Sequence, residues 1–185
     1  MKPNSFDYLK VLSSEEALTA LAQGEDEARI IAGGLSLVPI LNFRLAEPQM
    51  LIDISGAKTL NYIRETGGKV EIGASTRQCQ LENWSDLESR LPMLKAAFPF
   101  IGHYQTRAKG TVCGSLAHAD PSSELPLCLA TLGGEVVLQS AKGKRTLSAD
   151  DFQTGMLTTA KRPDEMVISA RYPIKREGEG YAFTE

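Results

Sequence analysis

The chain has 185 residues, 42% of them hydrophobic, which is enough apolar material for one compact domain or two small lobes sharing a core. Charged residues make up 23% and the formal net charge is -3; Lys and Arg are scattered rather than gathered into a stripe, so there is no electrostatic footprint for nucleic acid or an anionic membrane. The longest apolar stretches, around Ile30 to Ile40 and Leu125 to Leu132, are broken by Gly, Pro, Ser or Thr and are too short for a membrane span.

Met1-Lys2-Pro3-Asn4-Ser5 leads into Phe6 without the apolar core of a signal peptide, so a cytoplasmic protein with reduced thiols is expected. Ser13-Ser14-Glu15-Glu16 then reads as a helix start, because a Ser three residues ahead of a Glu can close a capping box, and Ala17, Leu18, Leu21 and Ala22 fall on one helical face as far as about Gly24. Arg29-Ile30-Ile31 is a short strand running into Ala32-Gly33-Gly34-Leu35-Ser36, with a brief helix from Leu37 to Leu41 despite Pro39. Met50 to Ile54 is a second strand. Leu60 to Ile63 and Lys69 to Ile72 flank Thr66-Gly67-Gly68 as a hairpin.

From Gln78 to Ala97, Leu81, Trp84, Leu87, Leu91 and Leu94 recur every three or four residues, which predicts helices with a break near Pro92 and places Trp84 in the core. Phe98 to Lys109 reads as a helix tail giving way to a loop. A second glycine segment follows, Gly110-Thr111-Val112-Cys113-Gly114-Ser115, and after Asp120-Pro121 a helix carries Leu125, Leu127, Leu129 and Leu132. Glu135 to Gln139 and Arg145 to Leu147 flank the turn from Ala141 to Lys144, and Met166 to Tyr172 alternates as a strand ending at Pro173. This mixed order of helices and hairpins gives an α+β class rather than a doubly wound sheet.

Adjacent glycines remove the Cβ atoms that keep an anion from the main chain, and a strand-to-helix turn can aim successive N–H groups at one point. That suits a phosphate or diphosphate, with Ser36 and Ser115 adding hydroxyls and a helix N-terminus behind the first segment adding partial positive charge. Either segment alone is as readily an ordinary turn. Neither Gly-x-Gly-x-x-Gly nor Gly-x-x-x-x-Gly-Lys-Ser/Thr occurs, which argues against a Rossmann domain or a P-loop. Cys79, Cys113 and Cys128 with His103 and His118 make a poor metal set at their separations, so no metal is assigned. His118 and Asp120 lack an accompanying nucleophile and read as loop-shaping. Cys113 would have a lowered pKa in a loop rich in N–H groups, or else serves as a small buried hydrophobe.

Residues 32 to 39 and 110 to 121 together resemble the two FAD-binding loops of molybdenum hydroxylase flavoproteins, the medium subunits of the carbon monoxide dehydrogenase and xanthine dehydrogenase family. Leu51-Ile52-Asp53-Ile54, the stretch Ile72 to Arg77, and Phe152-Gln153-Thr154-Gly155 leading to Pro163-Asp164-Glu165 agree in order and spacing. The resemblance implies the two-lobed FAD-binding fold of vanillyl-alcohol-oxidase-like proteins, with a small lobe at residues 1–55, a larger one at 56–185, and a family C-terminal domain missing. It implies cofactor contacts from Ile31, Ala32, Gly33, Gly34, Leu35, Ser36 and Leu37 on the first segment and from Thr111, Val112, Cys113, Gly114 and Ser115 on the second. Ile101 is implied on the adenine side, Asp120 and Glu124 beside the cofactor, and Lys161 near the flavin.

Four positions depart from the family pattern: Cys113 replaces a usual Gly, Leu35 a polar residue, Ala108-Lys109 an Asn-Arg pair, and Lys161 a leucine. The activity implied is electron transfer through FAD, within a complex that also contains an iron–sulfur subunit and a molybdenum cofactor subunit. The alternative is a truncated, non-catalytic nucleotide-binding or interaction module.

Overall fold

The computed structural model describes residues 2–184. In chain order the strands and α-helices are β1 (Asp7–Lys10), α1 (Ser14–Gln23), β2 (Ala28–Ile31), α2 (Leu37–Asn42), β3 (Met50–Asp53), β4 (Ile63–Thr66), β5 (Lys69–Gly73), α3 (Gln78–Glu82), α4 (Leu87–Arg90), α5 (Pro92–Ala97), α6 (Tyr104–Lys109), α7 (Val112–His118), α8 (Glu124–Thr131), β6 (Glu135–Ser140), β7 (Gly143–Ser148), α9 (Ala149–Phe152), β8 (Gln153–Gly155), β9 (Thr158–Thr159) and β10 (Met166–Pro173). The fold is α+β, as the sequence predicts.

Local chemistry places most of these elements. At the start of α1, Ser13 Oγ accepts from the Glu16 N–H at 3.1 Å, while the Glu16 carboxylate reaches back to the Leu12 N–H at 2.9 Å, one residue earlier than in the usual reciprocal cap. Gly67 and Gly68, with φ of 56° and 74°, turn β4 into β5 in the left-handed conformation that a two-residue hairpin needs. Leu91-Pro92 separates α4 from α5, with Pro92 opening the second helix, where its missing N–H costs nothing.

Two sheets result. The first is three-stranded and parallel in the order β1-β3-β2, with α2 in the β2-to-β3 crossover; the second is five-stranded and antiparallel in the order β4-β5-β10-β6-β7. Alternation on the central strands fastens the two together. Val136, Leu138, Val167, Ala170 and Tyr172 enter a core with Leu81, Leu94, Phe98 and Leu116 of the helices. Their neighbours Val137, Met166 and Ile168 enter the second core with Leu18, Leu21, Ile52 and Ile54 of the first sheet and α1. A register shift between Val167 and Ser169 lets β10 serve both.

Several stretches differ from the sequence reading, among them the strand before Gly67, which runs Ile63–Thr66 with Leu60 in a 3-10 turn rather than from Leu60 to Ile63. β1 is a strand although all four of its residues are exposed, because it pairs as an edge with β3, some forty residues away. Residues Tyr104–Lys109 form a helix rather than a loop. The second glycine segment is the first turn of α7, capped by Thr111, whose Oγ1 accepts from the Gly114 N–H at 3.0 Å.

Candidate functional site

The parallel sheet ends, α7, α8 and the approach to β10 surround a cleft of about 510 Å³. β2 delivers the chain to its floor at Ile31, and the following residues turn through Gly34 at φ 74° into α2. The N–H groups of Gly33, Gly34, Leu35 and Ser36 donate to no acceptor among the described residues. They form a run of open donors along one wall.

The second segment faces the first at very close range. A Cβ on Gly33 would lie 2.2 Å from the Lys109 carbonyl oxygen and 2.8 Å from Gly110 Cα, so this glycine is required by backbone-on-backbone packing. Its role is therefore different from the one the sequence suggests: its bare side faces the other segment rather than an anion. Val112 N–H donates to Thr76 O at 3.2 Å and Ser115 N–H to Thr111 O at 3.2 Å, which leaves the N–H groups of Thr111 and Cys113 as the open donors here among the described residues. The first segment thus presents more free amides than the second.

Ile31 to Leu37, Ile101, Thr111, Cys113, Gly114, Ser115, Asp120, Glu124 and Lys161 all line this cleft. Val112 does not: its side chain is fully buried in the core beneath α7. Cys113 has a negative φ as the second residue of a helix, so no left-handed strain attaches to it. Burial pushes its thiol up to about 12, and its Sγ donates to Ile72 O at 3.5 Å. The lowered pKa considered from the sequence is corrected by this burial; the small-hydrophobe reading describes the residue.

Ser115 Oγ and Ser123 Oγ share a hydrogen bond of 2.8 Å at the base of α8, tying the second segment to Glu124 and its helix. Asp120 Oδ1 accepts from the Ser122 N–H at 2.9 Å, a loop-shaping role in keeping with the sequence. Lys161 Nζ donates to the carbonyl oxygens of Arg162 at 2.9 Å and Glu165 at 3.2 Å, and burial lowers its pKa, with the charge of Arg29 acting in the same direction.

The sequence reading missed Arg29, Gln78, Glu165, Met166 and Val167 as lining residues. Gln78 Oε1 is buried without a partner among the described residues, and the Gln78 N–H donates to Gly110 O at 2.8 Å beside the isolated bridge between Arg77 and Thr111. The signal available for it was the Ile72-to-Arg77 stretch that ends immediately before it.

Residues 4–175 match the family described as the FAD binding domain in molybdopterin dehydrogenase. The 6-hydroxypseudooxynicotine dehydrogenase complex subunit alpha of Paenarthrobacter nicotinovorans is 42% identical over 100% of this chain and 62% of its own length. The carbon monoxide dehydrogenase medium chain of Afipia carboxidovorans is 37% identical over 99% of this chain and 64% of its own. Among solved structures, the Cu,Mo-CO dehydrogenase superposes with a TM-score of 0.95 at 37% identity, covering 98% of this chain and 64% of that one. Quinoline 2-oxidoreductase from Pseudomonas putida 86 gives 0.91 at 35% identity, covering 95% and 61%. The chain therefore spans less than two thirds of the length of these relatives.

Proposed function

The chain belongs to the family of FAD binding domains in molybdopterin dehydrogenases, and from this we propose that its cleft holds FAD non-covalently, with the diphosphate against the two glycine segments. The observation that carries the reading is the run of four unpartnered N–H groups from Gly33 to Ser36, set against the open N–H groups of Thr111 and Cys113 in one cleft. Converging amides of this kind compensate a diphosphate without a metal or an arginine. Gln78 Oε1, an unfilled buried acceptor at the same place, is a further group that a ligand hydroxyl or N–H would satisfy.

Bound FAD supplies an exchange point between one-electron and two-electron carriers. The protein's own work is to bind, orient and shelter it: β2 and α7 aim the amides, Ile101 and Leu35 offer apolar surface, and Asp120 and Glu124 place carboxylates at the cleft wall. We propose that the chain acts as the electron-transfer flavoprotein part of a molybdenum hydroxylase. Electrons would arrive from iron–sulfur clusters fed by a molybdenum cofactor, both held on partner subunits, and leave to an external acceptor. The relatives' names support such an assembly, since they are subunits or medium chains of dehydrogenases and hydroxylases. Three free cysteines suit a reducing compartment, and we place the protein in the cytoplasm; no helix among the described residues is long and apolar enough to cross a membrane.

Gly33→Ala tests the site. Its methyl group meets the backbone of Lys109 and Gly110 and must push the two segments apart, so FAD retention after gel filtration should fall at least tenfold while far-UV circular dichroism stays unchanged. Full FAD occupancy in a folded Gly33→Ala protein would remove the glycine segments from the site.

A further inference from the structure

Two cations line the cleft outside any salt bridge among the described residues, although Glu165 and Asp164 act on Lys161 through their charge. Lys161 is half-buried and donates to two carbonyl oxygens, those of Arg162 and Glu165. Arg29, the second residue of β2, donates from Nη1 to the carbonyl oxygens of Asp26 at 2.6 Å and Ala28 at 2.9 Å. Neither forms a salt bridge among the described residues. The nearby carboxylate of Glu165 is already taken: Arg145 binds it through Nε at 2.6 Å and Nη2 at 2.7 Å, and the Arg162 N–H donates to it at 2.7 Å. Arg29 acts on Lys161 through its charge, so the two lie in each other's field. Lys161 is half-buried and Arg29 exposed, each hydrogen-bonded to neutral oxygens, so this wall of the cleft presents positive charge that a bound anion would meet.

The position of the pair narrows the choice of anion. Arg29 stands three residues before Ala32 on an extended strand, about 10 Å away at a rise of roughly 3.3 Å per residue. A diphosphate seated on residues 32 to 36 does not extend that far, whereas a ring at one end of FAD does. The adenosine end carries no anionic group at neutral pH. The isoalloxazine end becomes anionic when it takes up two electrons and one proton. Ile30, next to Arg29, and Met166 and Val167 at the start of β10 also line the cleft, giving apolar walls that suit a flat ring and make a nearby charge more effective by excluding water.

We propose that Lys161, with Arg29 beside it, is the positive charge that stabilises the anionic two-electron-reduced flavin and thereby raises its reduction potential. The proposal rests on the FAD reading above. Lys161 is in this sense a positioning and tuning residue, and its readout is a potential rather than a rate.

The test uses the full chain loaded with FAD, titrated with dithionite in the presence of an indicator dye, alongside the affinity for oxidised FAD measured by flavin fluorescence. Lys161→Met should lower the ratio of reduced-to-oxidised FAD affinity at least tenfold, which for a two-electron couple is a fall of about 30 mV in midpoint potential. Affinity for oxidised FAD should change less than threefold, and Lys161→Arg should keep the wild-type potential. Arg29→Gln should lower the potential in the same direction and carries the test alone if Lys161→Met does not fold. An unchanged potential in folded, FAD-loaded Lys161→Met and Arg29→Gln overturns the proposal, as does an equal loss of affinity for both redox forms, which would assign the pair to the diphosphate. Wild-type protein that retains no FAD at all overturns the underlying reading and the proposal with it.

Discussion

Cys113 shows how one residue changes meaning once its surroundings are known. From the sequence it stands in a glycine-rich segment where the family resemblance leads to glycine, and a reactive thiol in a field of amides is a natural thought. In the fold it is the second residue of a helix, sealed against Ile72, with its thiol pushed up to about 12 by burial. Cys128 is buried as well and is pushed up to about 12 for the same first cause, whereas Cys79 is only partly covered. A thiol reagent at pH 8 should therefore modify Cys79 first, and Cys113 and Cys128 only on addition of denaturant. Mass mapping of Cys113 modified at the rate of Cys79 in native protein would contradict this placement. The candidate site was legible to this same extent. The residues that supply backbone donors announced themselves through Gly33-Gly34 and Gly110 to Ser115, because glycine patterns record backbone requirements. Arg29, Gln78 and Glu165 did not, since the patterns of their segments set a strand, a helix and a loop and do not tell which side chain reaches a cleft built from distant parts of the chain.

At the scale of elements, what could be read was whatever local chemistry decides. The cap of α1, the Gly67-Gly68 turn and the alternation of β10 are all written within a few residues and form where expected, although the strand entering that turn is Ile63–Thr66 rather than Leu60 to Ile63. β1 was not legible, because Asp7-Tyr8-Leu9-Lys10 has no buried face and becomes a strand by parallel pairing with β3. α7 was not legible for a related reason. Gly114, Ser115 and a length of seven residues give it poor intrinsic helicity, and the burial of Val112, Cys113 and Leu116 holds it instead. The contrast predicts where local changes matter. Ser13→Ala removes the acceptor for the Glu16 N–H and should cost about 1 kcal/mol, or a fall in melting temperature of about 2–4 °C for a domain of this size. Ser13→Asp restores an acceptor and should recover most of that loss. A Ser13→Ala protein that melts with the wild type would mean that the cap contributes nothing measurable.

At the scale of the whole molecule, three buried carboxylates hold the two sheets and their strand ends through charge and hydrogen bonds. Glu71 lies in the middle of the cross-strand row Arg64, Glu71, Arg171; it accepts from Tyr62 Oη at 2.6 Å, Arg64 at 3.0 Å and Arg171 at 3.0 Å. Burial alone would raise its pKa, but these three donors outweigh burial and hold it at about 2. Glu165, before β10, is likewise held below the ordinary value by Arg145 and the Arg162 N–H against the opposing effect of burial. Asp53 in the parallel sheet is held down in the same way by Tyr8 and the Ser55 N–H. A carboxylate whose folded pKa lies below its unfolded value stabilises the protein above the unfolded pKa and loses that contribution as pH falls through the folded pKa. For Glu71 the window runs from 4.5 down to about 2, and the contribution at neutral pH is on the order of 3 kcal/mol. Urea unfolding measured from pH 7 to pH 3 should show a nearly flat stability down to about pH 5, then a decline. In Glu71→Gln the protein should be weaker at pH 7, because Arg171 and Arg64 lose their counter-charge. Its decline below pH 5 should be shallower, because one of the three titrating groups is gone. If the variant and the wild type show the same slope between pH 5 and pH 3, Glu71 does not bind a proton on unfolding in that range, and the acid response of the molecule must come from its other carboxylates.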